Sequence, residues 1–371
     1  MLNKIVYIFF TVVFFAAIPV KADVNIAVIA PQEGEYKKFG REIISGVRVA
    51  VDGLNETGGL NGEKINLITV DDRCDDRLAV STAQMMALNT SKTDKISMVI
   101  GPYCSNAFEE VAGIYAKANI FQIIPTTVSS LNNKKVHRGL VKMAGYKDRQ
   151  SVDFFNYYQK NFPQETVGVV YDSEKRDIVE VAASLQREFK KHGKLDKLKA
   201  YSYSSYKSAE DMSDALVNDK IRIAYILGNP TQTAELSRLL KSYDENYIIF
   251  ASKYQAQEDY NEIMGDLAEG TYYVGLPSLK DNPEFAETIV DLRLHGIELE
   301  GLGVYGFSAF KLWEELVKKT DSFSYNKLAE ALNNDKIETT WGETMFNNGN
   351  PESPLNYGIY QRKNGQYTQV Y

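Results

Sequence analysis

Lys95-Ile96-Ser97-Met98-Val99-Ile100-Gly101-Pro102-Tyr103-Cys104-Ser105-Asn106 is the stretch whose reading decides the fold. Ile96 to Ile100 form a short apolar run of the kind buried on both faces of a parallel sheet. Gly101-Pro102 stops the strand, because proline has no amide to offer a neighbouring strand. Ser105 and Asn106 suit a helix N-cap, and Glu109 stands three residues after Asn106, as in a capping box. Phe108, Val111, Ala112 and Tyr115 follow at helical spacing. A strand that ends in a tight turn and opens a helix points free backbone N–H groups into the space above the sheet, where anionic ligands bind. The turn reads as a ligand-gripping one, not a catalytic one.

Strands and helices alternate on both sides of this stretch. Before it, Val24 to Ala30 and Ile65 to Val70 read as strands. A helix from about Phe39 to Asn55 carries Ile43, Ile44, Val47, Val51 and Leu54 on one side, and Leu78 to Leu88 forms the next helix. After it, Ile120 to Ile124 is a strand broken by Pro125, and Thr126, Thr127, Val128, Ser129 and Ser130 make a hydroxyl-rich loop. Past Val141 the rhythm starts again. Helices Ser151–Lys160, Glu174–His192, Ala209–Asn218 and Thr231–Tyr243 alternate with strands Thr166–Tyr171, Leu198–Tyr203, Ile221–Leu227 and Tyr247–Ala251, and strand Thr271–Gly275 follows. This alternation predicts an α/β chain with parallel sheets flanked by helices. Three more helices (Pro283–Leu294, Gly306–Lys319, Tyr325–Leu332) and four strand-like pieces, from about Glu338, Glu343, Tyr357 and Tyr367, complete the chain. No low-complexity linker separates the halves, so several crossings should join two domains as a hinge around a cleft.

The 371 residues suffice for two domains with real cores, and 44% hydrophobic and 25% charged residues describe a globular chain. A formal charge of -7 argues against nucleic acid as a partner. Lys4, the apolar run Ile5 to Ile18 and the small residues of Val20-Lys21-Ala22 read as a secretory signal peptide over 1–22, cleaved after Ala22. The run is shorter than the ~20 residues of a spanning helix. Cleavage removes Lys4 and Lys21 and takes the charge from -7 to -9.

An exported chain with two cysteines, Cys74 and Cys104, would join them and close a loop of ~30 residues, worth roughly 3–4 kcal/mol. A reactive thiol or metal pair is the weaker alternative. His137, His192 and His295 are scattered, and neither metal-ligand spacing nor any sign of a cofactor appears. Gly301-Leu302-Gly303-Val304-Tyr305-Gly306 matches a dinucleotide pattern but follows Glu298-Leu299-Glu300 instead of a β-branched strand. Asp71-Asp72 with Asp75-Asp76 lacks calcium-loop spacing and reads as a solvated acidic strand end.

Across nearly the whole mature chain the sequence resembles the periplasmic substrate-binding proteins of branched-chain amino acid ABC transporters, in the type I, Leu/Ile/Val-binding-protein-like class. The likeness rests on ordered motifs: Ala27-Val28-Ile29-Ala30-Pro31, Gly58-Gly59-Leu60-Asn61-Gly62, Asp71-Asp72-Arg73-Cys74-Asp75, Ile100-Gly101-Pro102-Tyr103-Cys104-Ser105, Ile124-Pro125-Thr126-Thr127 and Ala268-Glu269-Gly270. It implies two Rossmann-like lobes, 23–146 plus 276–355 and 147–275 plus 356–371, joined by about three crossings. It also implies a Cys74–Cys104 disulfide and a monomer in the periplasm that traps a small-molecule ligand by closure. The ligand would then be handed to an ABC permease in the inner membrane, without catalysis. A ligand sensor of the same fold, signalling to a partner protein, is the alternative.

Carried over by residue, the resemblance places Ser105, Thr126 and Thr127 at the ligand carboxylate. It also places Phe39 at an aromatic wall, with Tyr103, Ser129 and Tyr146 nearby. Val128 stands where a threonine hydroxyl is usual, and Ser129 could compensate. The second lobe departs more. Lys253 occupies the position of the acid that receives an ammonium, Arg176 and Asn229 replace aromatic residues, and Lys147 and Arg149 replace acidic ones. An ammonium facing Lys253 meets like-charge repulsion. The expected ligand is therefore a carboxylate-bearing small molecule, an anionic organic acid ahead of an amino acid.

Overall fold

The computed structural model describes residues 23–88, 95–104, 107–130, 135–252, 258–278, 285–299 and 301–371. The segment predicted as a signal peptide, and Ser105, Asn106 and Lys253, lie outside these. The first sheet contains β1 (Val24–Ile29), β2 (Ile65–Val70), β3 (Ile96–Ile100), β4 (Phe121–Ile124) and β5 (Leu140–Lys142), all parallel, in the order β2-β1-β3-β4-β5. The quoted stretch supplies its central strand. Alternation divides each strand between two cores: Ile26 and Val28 pack with Met98 and Ile100 on one face, and Ala27 and Ile29 with Val99 on the other. Helices α1 (Lys37–Glu56), α2 (Asp76–Leu88) and α3 (Phe108–Ala118) connect the strands.

The second sheet is built from β6 (Val167–Tyr171), β7 (Leu198–Ser202), β8 (Ile223–Leu227), β9 (Ile248–Ser252) and β10 (Tyr272–Gly275). Helices α4 (Arg149–Asn161), α5 (Arg176–Lys191), α6 (Ala209–Asn218), α7 (Pro230–Tyr243) and α8 (Glu258–Met264) accompany it. Val167, Val169, Tyr225 and Phe250 face Phe154 and Phe155 of α4, while Val170, Ala224 and Ile226 face Leu236 and Leu240 of α7.

The chain then returns to the first sheet with α9 (Ala286–Leu294), α10 (Gly303–Thr320), α11 (Tyr325–Asn334) and two short ribbons. These are β11 (Ile337–Thr339) with β12 (Gly342–Thr344), and β13 (Phe346–Asn347) with β14 (Asn350–Pro351). Finally β15 (Gly358–Lys363) and β16 (Gln366–Gln369) add antiparallel to β10, giving the order β16-β15-β10-β9-β8-β6-β7. Asn364-Gly365, both with positive φ, form the tight turn between them. Three connections therefore run between the sheets: after β5, after β10 and after β14. Among the described residues no helix is long and apolar enough to cross a membrane.

The dinucleotide-like glycines have a packing role. A Cβ on Gly46 of α1 would lie 1.8 Å from the Gly303 carbonyl oxygen, and one on Gly306 would lie 2.2 Å from that of Ile43. They let α1 and α10 cross almost backbone to backbone. The acidic strand end also differs from expectation. Asp72 is only 1% exposed, because its carboxylate folds back to accept the Cys74 amide at 3.2 Å instead of reaching water. The helix after β3 begins at Phe108 with Ala107 before it, so the capping box expected at Asn106 lies outside the described residues.

Candidate ligand-binding site

Strands of a parallel sheet end together, and their loops enclose whatever lies beyond the carboxyl edge. Here the two sheets turn those edges toward a shared cavity of about 170 Å³. From the first sheet come Cys74 after β2, Tyr103 and Cys104 after β3, and Thr126 and Thr127 after β4. The second sheet supplies Lys147 and Gln150 at the start of α4, Lys175, Asp177, Ile178 and Val181 at the start of α5, and Leu227 and Val274 from its strands. Tyr36, Leu276 and Tyr357 complete the lining.

Local sequence explains the first-sheet wall. Gly101 has φ +111°, and a Cβ there would lie 2.2 Å from the Ile29 carbonyl oxygen, so only glycine lets the chain turn this closely over β1. The Gln122 amide donates to the Gly101 carbonyl at 2.9 Å and fixes the turn. A disulfide joins Cys74 to Cys104 with Cα atoms 5.3 Å apart, tying the ends of β2 and β3 together beside the cavity. Tyr103 is buried, with Phe39 stacked behind it at 5.7 Å and Tyr36 tilted against it at 6.4 Å. Burial pushes the hydroxyls of Tyr103 and Tyr357 well above the ordinary tyrosine range, so both stay protonated. The Tyr357 and Thr127 hydroxyls share a hydrogen bond at 3.0 Å, and the Tyr357 amide donates to Asp153 Oδ2 at 2.8 Å. The last connection between the sheets is thereby fastened to both.

Charge enters mainly from α4 and α5. Lys147 Nζ donates to Asp177 Oδ2 at 2.8 Å, and Lys175 lies 3.8 Å from Glu35 and 5.7 Å from the Tyr36 ring centroid. Burial lowers the Lys175 ammonium, but Tyr36 and Glu35 together carry it above the ordinary lysine value. The cavity thus combines hydroxyls and phenols on one side, two ammonium groups and one carboxylate on the other, and aliphatic walls between. No group of side chains suited to holding a metal ion occurs among the described residues.

The structure brings Tyr103, Thr126 and Thr127 to this cavity from the expected set, and Lys147 with them. Other expected residues stand elsewhere. Phe39 backs Tyr103 without lining the space. Ser129 donates to Glu180, so its hydroxyl is engaged away from the cavity. The half-buried Tyr146 accepts a hydrogen bond from Lys142 at 3.2 Å. Asn229 caps α7, accepting the Gln232 amide at 2.8 Å. Arg149 reaches Asp153 at 3.3 Å and Asn356 at 2.8 Å. Arg176 is exposed and outside the lining, while its neighbours Lys175 and Asp177 line it. Successive residues at a helix start point about 100° apart, so placing the right turn did not select the right side chain. Gln150 and Tyr357 had no recognisable signal, being brought in by tertiary packing.

A family profile for periplasmic binding proteins matches residues 23–366. An amino acid binding protein of Pseudomonas aeruginosa is 24% identical over 94% of this chain and 93% of its own length. The Leu/Ile/Val-binding protein BraC3 of Rhizobium johnstonii is 22% identical over 93% of each. Among solved structures, the leucine binding protein LivK of Thermotoga maritima superposes with a TM-score of 0.78 at 21% identity, covering 94% of this chain and 98% of that one. A solute binding protein from R. palustris in complex with benzoate superposes at 0.76 with 15% identity, covering 94% and 96%. The structural likenesses carry the fold, and the profile carries the family. Two sheets facing one cavity, and a profile matched over almost the whole chain, mark it as a member of the periplasmic binding protein family, among relatives of the branched-chain amino acid transporter type.

Proposed function

We propose that this protein is the extracytoplasmic solute-binding component of an ABC import system, capturing a small carboxylic acid that lacks an ammonium group. The observation that carries this is the charge of the cavity: among the described residues Lys147 and Lys175 line it against the single carboxylate of Asp177. Lys147 already matches Asp177 at 2.8 Å and Lys175 stands 3.8 Å from Glu35, so an incoming ammonium would have to compete with two lysines for the acids beside the cavity. A carboxylate instead meets two ammonium groups in the lining, with the Thr126–Thr127 turn offering hydrogen bonds to it. The tyrosines and aliphatic residues suit an apolar body, and benzoate, the ligand of the R. palustris protein, is a ligand of that class. The lobes, 23–146 plus 276–355 and 147–275 plus 356–371, close on it as units. The mature chain begins after Ala22, works as a monomer in the periplasm, and delivers its ligand to an inner-membrane permease.

A second reading, an aliphatic amino acid, is favoured by Asp177 itself, which could receive an ammonium if Lys147 swung aside. Thermal denaturation against a panel of solutes separates the two. A ligand at a hundred times its Kd adds about 2.7 kcal/mol and raises Tm by several degrees. Benzoate or aliphatic acids should give such a shift, and leucine and valine a smaller one. Shifts from branched-chain amino acids alone would overturn the proposal.

A further inference from the structure

One of the lysines that line the cavity also makes a contact from one lobe to the other. Lys175 stands just before α5, on the side of the second sheet, while Glu35 and Tyr36 stand just before α1, on the side of the first. The Lys175 ammonium lies 3.8 Å from Glu35 Oε2 and over the Tyr36 ring. One cation of one lobe thus meets an acid and an aromatic face of the other. All three connections between the sheets run elsewhere, so opening the cleft pulls these groups apart.

We propose that Lys175 is an electrostatic clasp that holds the lobes shut across the cleft mouth, with Glu35 and Tyr36 as its receiving face. The proposal rests on the reading that the lobes move as units around the cavity, and it gives Lys175 a role besides its place in the cavity lining. The side chains of Lys175 and Glu35 are 45% and 39% exposed, so each contact is modest and screened by salt. Together with the contact over the ring they shift the closed-to-open ratio by roughly tenfold. Closure is therefore sensitive to salt before any solute binds.

Spin labels on the exposed Lys117→Cys and Lys190→Cys positions, one in each lobe, report the interlobe distance of the solute-free protein by pulsed electron resonance. The closed population should fall as NaCl rises from about 0.05 to about 1 M, where the screening length drops from over 10 Å to about 3 Å. Lys175→Gln, which removes the ion pair and the ring contact, should lower the closed-to-open ratio about tenfold, and Glu35→Gln, which leaves the ring contact in place, about threefold. The two together should do no more than Lys175→Gln alone, and the exchange Lys175→Glu with Glu35→Lys should restore the share that belongs to the ion pair. A ratio indifferent to salt and to all these variants, or single effects that simply add, would overturn the clasp. If solutes narrow the distance distribution of the unaltered protein while the solute-free ratio ignores the variants, the clasp falls and solute capture stands. If the variants shift the ratio but no solute changes it, the clasp stands and solute capture falls.

Discussion

The carboxyl of Asp72 sits where water does not reach it. Burial, with Asp71 and Asp76 nearby, pushes its pKa up to about 6 from an ordinary 3.8, against the pull of the Cys74 amide. The folded state therefore holds the proton more tightly than the unfolded chain. Stability from this group is greatest below about pH 3.8 and is lost as pH rises through about 6. Asp72→Asn keeps the acceptor for Cys74 and removes the buried charge. It should stabilise the protein by about 3 kcal/mol at pH 7.5, since each tenfold change in proton affinity is worth about 1.4 kcal/mol. Urea titrations at pH 7.5 and pH 4 check this: the gain should be large at the first and nearly gone at the second. Of the site, Tyr103, Thr126 and Thr127 were legible because they follow strands directly, where chain direction fixes position. Lys175 and Asp177 were read one residue off, and the burial of Asp72 was invisible because an acidic run after a strand looks solvated in sequence.

At the level of elements, apolar runs bounded by glycine and proline identified β1 to β4, β6 and β8 to within a residue or two. The three-residue β5 was missed, as was α8, because short elements carry no period long enough to read. The glycines of α10 show how a motif can match for another reason. A Cβ on Gly306 would meet the α1 backbone at Ile43, and one on Gly303 would lie 2.7 Å from the Ile297 side chain and 3.3 Å from the Glu42 carbonyl oxygen of α1. Gly306→Ala should cost about 2 kcal/mol or more, since the clash falls on an oxygen that cannot move without bending α1. Gly53, on the exposed side of the same helix α1, has nothing within 4 Å of its would-be Cβ. Gly53→Ala should stabilise by about 0.5–1 kcal/mol. Thermal denaturation of both variants checks the pair; equal effects would contradict the packing account.

For the whole molecule, one parallel sheet and one mixed sheet, with three connections between them, enclose a shared cavity. Alternation of strands and helices foretold the sheets, and the absence of a linker foretold several crossings. What the chain contains is a question of charge, and it turns on the lysines that enter from α4 and α5. The direct test is calorimetric titration of the mature protein with L-leucine and with 4-methyl-2-oxopentanoate. The two share a carboxylate and a side chain and differ in bearing an ammonium or a neutral carbonyl. The oxo acid should bind at least tenfold more tightly, a difference of about 1.4 kcal/mol. Leucine binding tenfold more tightly than the oxo acid would contradict the charge reading of the cavity.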